Sequence, residues 1–291
     1  MARPPRQPQP QRRLPPSRRS VSTSSTPGRE IAHRSAGEKG LGGDQVEGLR
    51  AVRELLAART RRTRDLWITD IADRDNPLVV EILDLAREAR VPVREVSRGR
   101  LDAEAGSRAP QGVLAHAAPL KEHDLEDLVA RRRGVNPFLV VLEGVTDPRN
   151  LGAILRSADG AGVTGVVLPR HRAVHVTPAA TKAAAGAIEH VPMALVAGVP
   201  AALQALSKAR VWTVGLDGDG DTSIFDLDLA TEPVALVMGS EGTGLSRLAR
   251  QRCDVVASIP QQGALPSLNV ASAAAIACYE VARRRLTTTS D

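Results

Sequence analysis

The stretch IPQQGALPSLNVASAAAIACYEVARRR, residues 259–285, decides how this chain folds near its C-terminal end. It begins as an apolar strand end, runs through a loop rich in Pro, Gly, Ser and Asn, and then becomes a series of small residues. A helix with one apolar stripe is predicted by the spacing of Val270, Ala273, Ala274, Ala277 and Val281. Small side chains let such a helix pack close to a sheet. They do not explain the polar, turn-rich loop that precedes it.

Composition limits the class of protein. With 291 residues and 42% hydrophobic residues, the chain can bury a sizeable core, and two modest domains are expected. The sequence has no apolar run of transmembrane length and no secretory h-region, so we expect no membrane partner and a cytoplasmic location. Cys253 and Cys278 are expected to be buried free thiols. Two Trp, two Phe and one Tyr are too few for a base-stacking platform.

Positive charge is concentrated at the N-terminus, where residues 1–42 are expected to form a disordered basic tail. The first 40 residues hold nine Lys or Arg against two Glu, a net charge of +7. Because the whole chain carries +6, the remaining 251 residues sum to −1. The tail suits a polyanion such as RNA, or it is a solubilising extension, and both readings stay open.

The rest of the chain divides into three zones. Residues 43–118 predict a small α/β domain, residues 119–136 a helical linker, and residues 137–291 a larger α/β domain. In the larger domain, short apolar strands such as FLVVLE (138–143) alternate with helices. This alternation predicts a parallel sheet covered on both faces. Ligands of such sheets bind at the carboxyl ends of the strands.

Three loops at predicted strand ends carry candidate site residues. In EGVTDPRNLGAILRSADGAG (143–162), Asn150 is expected at a helix N-cap, and Arg156 lies among apolar residues, where a guanidinium requires an anionic or hydrogen-bonding partner. VMGSEGTGLS (237–246) has three glycines between a strand and a helix, but it matches neither a P-loop nor a dinucleotide fingerprint. Glu241 within it favours a cationic ligand over a phosphate. The third loop holds Ser267 and Asn269.

Two apparent metal motifs fail on inspection. DGDGDTSIFDLD (217–228) has Thr222 where a calcium loop needs Gly and Asp228 in place of its bidentate Glu. His171 and His175 stand four residues apart without the Glu of a zinc-protease motif. No metal is therefore expected.

Together the three loops resemble the SpoU/TrmH-type RNA ribose 2′-O-methyltransferases of the SPOUT superfamily, most closely the members that methylate a guanosine of rRNA. NLGAILRSA (150–158) resembles the first family motif, VMGSEGTGLS the second, and IPQQGALPSLNVASAAAIA the third. VEGLRAV (46–52) and PQGV (110–113) resemble landmarks of the family's N-terminal RNA-binding domain, with Pro110 where the family commonly has His.

The resemblance implies a trefoil-knotted parallel sheet, S-adenosylmethionine as methyl donor, a homodimer, and residues 43–118 as an RNA substrate-binding domain. It implies that Arg156 assists the 2′-hydroxyl, by polarising it beside a bound phosphate or by taking its proton. Positioning is implied for Asn150, Glu241, Ser267 and Asn269. Backbone contacts to the cofactor are implied at Leu216, Gly239, Ile259 and Leu268.

The RNA expected as substrate is 23S rRNA. The alternatives are a tRNA, or a non-catalytic RNA-binding or ribosome-assembly factor with the same fold. A dinucleotide-dependent enzyme is disfavoured by the missing G-x-G-x-x-G.

Overall fold

The structure is a computed structural model that describes residues 40–69, 74–107, 109–131, 134–171, 174–265 and 267–288. Its first part is built on a four-stranded sheet in the order β1-β4-β2-β3, in which only β2 and β3 are parallel. The strands are β1 (Gln45–Glu47), β2 (Thr63–Thr69), β3 (Val93–Val96) and β4 (Val113–Ala117). The helices are α1 (Leu49–Ala58), α2 (Pro77–Glu88) and α3 (Arg98–Glu104).

The helices of this part start where the sequence supplies caps and apolar spacing. At α2, the Asn76 side chain accepts a hydrogen bond from the Leu78 N–H at 3.0 Å, and Pro77 fills the first turn. At α1, the Leu49 N–H is instead satisfied by the side-chain oxygen of Gln111 at 3.1 Å. Gln111, a landmark of the resemblance, therefore has a structural task here.

The second part is an eight-stranded sheet in which every strand pair is parallel, in the order β10-β12-β9-β11-β6-β7-β8-β5. Its strands are β5 (Glu122–His123), β6 (Phe138–Leu142), β7 (Gly165–Pro169), β8 (Met193–Val196), β9 (Trp212–Leu216), β10 (Thr222–Ser223), β11 (Val234–Met238) and β12 (Val255–Ser258). Its helices are α4 (Leu125–Val129), α5 (Pro148–Gly160), α6 (Pro178–Ala184), α7 (Val199–Lys208), α8 (Arg247–Arg252) and α9 (Val270–Thr288).

Both faces of this sheet are buried. Along β6, Phe138, Val140 and Leu142 pack into a core shared with α5, α6 and α9. The alternate residues Leu139 and Val141 pack into a second core with α7 and α8. Side chains of a strand point alternately to the two faces, so a strand that is apolar at every position needs a cover on each side. The predicted two-sided parallel sheet is confirmed.

The predicted linker and tail differ from the structure. Residues 119–136 do not form one helix, because β5 pairs with β8 and joins the large sheet before the short α4 begins. The tail was predicted to reach residue 42, yet Leu41 is buried and Gly43 donates to the Val176 carbonyl at 2.8 Å. Burial of the Leu41 side chain explains why the chain packs from this point. The predicted tail through residue 39 lies outside the described residues.

A buried ion pair joins the part built on the small sheet to the part built on the large one. Arg61 donates to both carboxylate oxygens of Glu189, at 2.7 and 3.0 Å, and the two side chains are 7% and 0% exposed. The Arg61 Nη1 atom also donates to the carbonyls of Gly43 and Ala118. A buried pair is tolerated when its hydrogen bonds are complete, as they are here.

None of the helices in the described part of the chain combines the length and apolarity of a membrane-spanning segment.

Candidate active site

Three loops meet at the carboxyl edge of the large sheet. They follow β6, β11 and β12, which is where a parallel sheet presents its ligand site. The first loop leads into α5, whose N-cap is Asp147, accepting the Arg149 N–H at 2.8 Å. Asn150 is therefore not the cap that the sequence predicted. It lies inside the first turn of the helix, and its side chain is available for a tertiary contact.

That contact is a hydrogen-bonded cluster of three predicted site residues. The Glu241 Oε1 atom accepts two hydrogen bonds, one from Asn150 Nδ2 at 2.7 Å and one from Asn269 Nδ2 at 2.8 Å. Asn269 Nδ2 also lies 3.1 Å from Asn150 Oδ1. One carboxylate thus ties together the loops that follow β6, β11 and β12. The three side chains are solvent-accessible, so each bond adds a modest net free energy, about 0.5–1.5 kcal/mol.

Asn269 has a second role that explains the polar loop before α9. Its Oδ1 atom accepts the N–H groups of Ala271 at 2.9 Å and Ser272 at 3.3 Å, which caps the helix. The same side chain therefore starts α9 and fixes that start against Glu241. The small residues that follow, including the fully buried Ala274 and Ala277, pack α9 against α5.

A cavity of about 560 Å³ opens beside this cluster, a volume within the range of small-molecule sites. Its wall includes every residue predicted to hold a cofactor by its backbone: Leu216, Gly239, Ile259 and Leu268. Glu241, Ser267 and Asn269 line it as well. Asn150 braces the wall through Glu241 and Asn269 without lining it.

The glycine-rich loop after β11 forms one side of the cavity as a tight turn. Ser240 and Gly244 exchange two backbone hydrogen bonds of 3.0 Å. A side chain at Gly239 would put its Cβ 2.1 Å from the Gly244 carbonyl carbon, so only glycine fits there.

The sequence reasoning missed Glu143, which anchors the far end of this loop. Its carboxylate accepts the Ser246 N–H at 2.9 Å and the Ser246 hydroxyl at 2.8 Å. An acidic residue directly after a buried strand was the signal available.

The charge of the wall fits a cationic ligand. Asp217, Asp219 and Glu241 line the cavity, and within the described residues no Lys, Arg or His does. S-adenosylmethionine carries a sulfonium cation, so the wall favours it by Coulomb attraction. Asp217 and Asp219 were not predicted as site residues.

Arg156 lies apart from this cavity. Its side chain is exposed, it is not a wall residue, and it forms no hydrogen bond or ion pair with any residue that the structure describes. The sequence suggested a place close to the apolar face of the helix, whereas the structure puts Arg156 on the exposed side. Arg156 shares the exposed side of α5 with Asp159 and Gly160, three and four residues further on.

A second cavity and the two cysteines lack the features of a catalytic site. A larger cavity of about 680 Å³ opens at the opposite edge of the sheet, beside Trp212 and Pro233, and contains none of the motif residues. Burial raises the pKa of both Cys253 and Cys278 to about 12, so neither thiol supplies a thiolate nucleophile near neutral pH. In the described residues no group of three or more His, Cys, Asp and Glu could hold a metal ion.

Family models match both parts of the chain. The model of the SpoU rRNA methylase family matches residues 137–279, and the model of the RNA 2′-O ribose methyltransferase substrate-binding domain matches residues 45–123.

Among curated proteins, the chain is 39% identical to the 23S rRNA (guanosine-2′-O-)-methyltransferase RlmB of Pseudomonas aeruginosa over 245 residues, covering 83% of this chain and 97% of that protein. Identity to the protein of the same name from Shewanella oneidensis is also 39%, covering 83% and 98%. The chain is thus similar to these proteins over nearly their whole length.

Solved structures give the same result. The SpoU methyltransferase AviRb from Streptomyces viridochromogenes, in complex with the cofactor AdoMet, matches with a TM-score of 0.69 and 28% identity, covering 84% of this chain and 90% of that one. An AdoMet-bound rRNA methyltransferase from Sinorhizobium meliloti matches with a TM-score of 0.66 and 25% identity, covering 82% and 87%.

Proposed function

Because the chain belongs to the SpoU rRNA methylase family, and is an RNA ribose 2′-O-methyltransferase that uses S-adenosylmethionine, we propose that its substrate is a guanosine of 23S rRNA. The proposal is supported by the names of the relatives that the chain matches over nearly their whole length. In this molecule the methyl-transfer reaction itself is supported by the cluster of Asn150, Glu241 and Asn269 beside a cavity with an acidic wall.

The cofactor, when bound, supplies a methyl group on a sulfonium, which is the reactive electrophile. The chain's task is to hold that electrophile and to present the ribose 2′-hydroxyl to it in line. We assign cofactor holding to the backbone at Leu216, Gly239, Ile259 and Leu268. The position of all four residues in the cavity wall and the acidic side chains beside them support this assignment.

We assign the RNA phosphate beside the target ribose to Arg156. An exposed guanidinium with no partner in the described residues is free to form a bidentate contact with a phosphate. A guanidinium is a poor general base because it has no lone pair to accept a proton. The role that suits Arg156 is therefore to fix the phosphate and polarise the neighbouring hydroxyl.

Asn150, Glu241 and Asn269 act as positioning residues in this proposal. They hold the starts of α5 and α9 in a fixed relation to the glycine-rich turn. Ser267, two residues before the cap of α9 and in the cavity wall, is assigned to orient the RNA sugar.

A homodimer and a trefoil knot belong to the proposal as well. Ile276 and Tyr279 on α9 are 36% and 53% exposed, and this apolar surface supports an interface with a second copy. The knot is proposed from the resemblance of the three motifs to the SPOUT superfamily.

We propose that residues 43–118 form the domain that binds the RNA substrate, followed by a linker and the methyltransferase domain at 137–291. The family model that matches residues 45–123 supports the first assignment. An rRNA substrate supports a cytoplasmic site of action, and the basic residues before position 40 suit the same polyanion.

The test is methyl transfer in vitro. The purified chain is incubated with methyl-labelled S-adenosylmethionine and either 23S rRNA or bulk tRNA, and the modified ribose is located by its resistance to alkaline cleavage. We expect one labelled guanosine in 23S rRNA. Label found in tRNA alone would show that tRNA is the substrate. Binding of RNA without methyl transfer would indicate a non-catalytic RNA-binding factor.

A further inference from the structure

Asp217 faces the cofactor cavity and also pairs with a cation outside it. It follows β9 and lines the cavity, and its Oδ2 atom lies 2.8 Å from the Arg250 Nη1 atom. Arg250 belongs to α8 and is not a wall residue. A second Arg250 bond, from Nη2 to the Asp219 carbonyl at 3.1 Å, holds the guanidinium against the turn that carries Asp217.

The position of Asp217 is fixed by its own turn. Its Oδ1 atom accepts the Asp219 N–H at 3.1 Å, which closes the turn locally. Gly220 presses the turn onto β12, since a Cβ there would lie 2.5 Å from the Ala257 carbonyl carbon. The carboxylate therefore cannot swing away from the cavity without breaking these contacts.

Asp217 and Glu241, two of the three acidic residues in the cavity wall, have different partners. Glu241 accepts hydrogen bonds from the neutral amides of Asn150 and Asn269. Asp217 is offset by the Arg250 guanidinium, and the hydrogen bond between them raises the pKa of Arg250. The charge of this side of the wall thus depends on Arg250.

Methyl transfer changes the charge of the molecule in the cavity. S-adenosylmethionine carries a sulfonium, an ammonium and a carboxylate, a net charge of +1 by ordinary valence. Loss of the methyl cation leaves the thioether S-adenosylhomocysteine with no net charge. A negative wall therefore holds the cofactor more tightly than the product.

We propose that the Asp217–Arg250 pair sets how strongly this enzyme distinguishes its sulfonium cofactor from its thioether product. The Asp217 carboxylate favours the cation, and Arg250 moderates that preference so that the cofactor is not over-stabilised before transfer. This inference rests on S-adenosylmethionine as the cofactor of the proposed reaction.

The test is the ratio of two dissociation constants, for S-adenosylhomocysteine over S-adenosylmethionine, measured by calorimetry on the full chain without RNA. Asp217→Asn keeps an acceptor for the Asp219 N–H and should lower the ratio roughly three- to tenfold. Arg250→Gln should raise the ratio by a smaller factor. The double variant should lie between the two single variants, because their effects on the field have opposite signs.

Two controls separate a field effect from a folding effect. Arg252→Gln removes the same charge from the same helix, but Arg252 donates to the Pro200 carbonyl and not to Asp217, so its ratio should stay near wild type. Added salt should shrink the differences among variants, since charges near solvent are screened.

The proposal is overturned if both single variants weaken the two ligands equally and leave the ratio unchanged, which indicates a purely structural pair. It is also overturned if both shift the ratio in the same direction. Failure of the wild-type protein to bind either ligand would instead contradict the proposed function itself.

Discussion

The side-chain amide of Asn269 donates to the carboxylate of Glu241 at 2.8 Å while its oxygen caps α9. The two residues belong to loops that follow different strands, β12 and β11. One side chain thus links the start of the C-terminal helix to the wall of the cofactor cavity. Local helix stability and site geometry are coupled at this residue.

Replacement of Asn269 should separate these two roles. Asn269→Ala removes both, and we expect a loss of about 1–2 kcal/mol in the free energy of unfolding together with weaker cofactor binding. Asn269→Ser keeps a capping oxygen but loses the amide donors. It should recover most of the stability and little of the binding, as measured by urea denaturation and calorimetry. Equal recovery of both would show that the contact with Glu241 does not shape the cavity.

Replacement of Arg156 should abolish methyl transfer and leave the cofactor in place. Arg156 is exposed and does not line the cavity, so Arg156→Ala should change the S-adenosylmethionine dissociation constant less than about twofold, within the range of surface substitutions. Methyl transfer to RNA should fall by at least about a hundredfold, as for loss of a positioning group.

Arg156→Lys is the matched variant, because it keeps the charge and loses the planar fork. It should restore only a small part of the activity. Lost cofactor binding in Arg156→Ala, with normal turnover at saturating cofactor, would contradict the role assigned to this residue.

Local sequence patterns predicted the buried strands correctly and the surroundings of Arg156 incorrectly. Apolar runs such as Phe138–Leu142 predicted the buried parallel strands, because only a sheet covered on both sides accepts them. Arg156 was misplaced because Leu155 and Ala158, one and two residues away in the sequence, are buried. The phase of the helix, which puts Arg156 with Asp159 and Gly160, was the better guide.

Contacts between segments that lie far apart in the chain could not be predicted from local sequence patterns. The residue types Asn, Glu and Asn marked a polar site, but nothing in their spacing showed that Glu241 accepts from both amides. The Asp217–Arg250 pair was hidden for the same reason. Burial of Leu41 depends on its docking beside Val176, 135 residues away in the chain, and a low-complexity N-terminus gave no sign of it.

Replacing one partner of the buried Arg61–Glu189 pair should strongly destabilise the fold. Glu189→Gln leaves the Arg61 guanidinium buried without its counter-charge, and we expect a loss of about 3–5 kcal/mol in the free energy of unfolding. The double variant Arg61→Met/Glu189→Leu removes both charges and should be more stable than Glu189→Gln. Urea denaturation of the three proteins decides this. A single variant as stable as wild type would mean that the pair is not buried in solution.

Stability at low pH should depend on Glu280. The hydrogen bond from Arg283, supported by Arg284 and opposed by burial, lowers the pKa of Glu280 from 4.5 to about 2. A carboxyl whose pKa is lowered by folding stabilises the protein above its unfolded pKa, and that contribution disappears as the pH falls through the folded pKa. The contribution is therefore complete above about pH 4.5 and lost near pH 2.

Glu280→Gln should lower Tm at pH 7, and the difference from wild type should shrink steadily between pH 4.5 and pH 2. Thermal melts followed by circular dichroism across this range provide the measurement. A difference in Tm that is constant with pH would show that the carboxylate charge is not what stabilises this end of α9.

We propose that the loops after β9, β11 and β12, at the carboxyl edge of the large sheet, enclose the methyl donor. The most direct measurement is a crystal structure of the chain with S-adenosylmethionine. We predict the cofactor in the 560 Å³ cavity, against the backbone of Leu216, Gly239, Ile259 and Leu268, with Glu241 still bonded to Asn150 and Asn269. Cofactor density elsewhere, such as in the cavity beside Trp212 at the opposite edge of the sheet, would contradict the account.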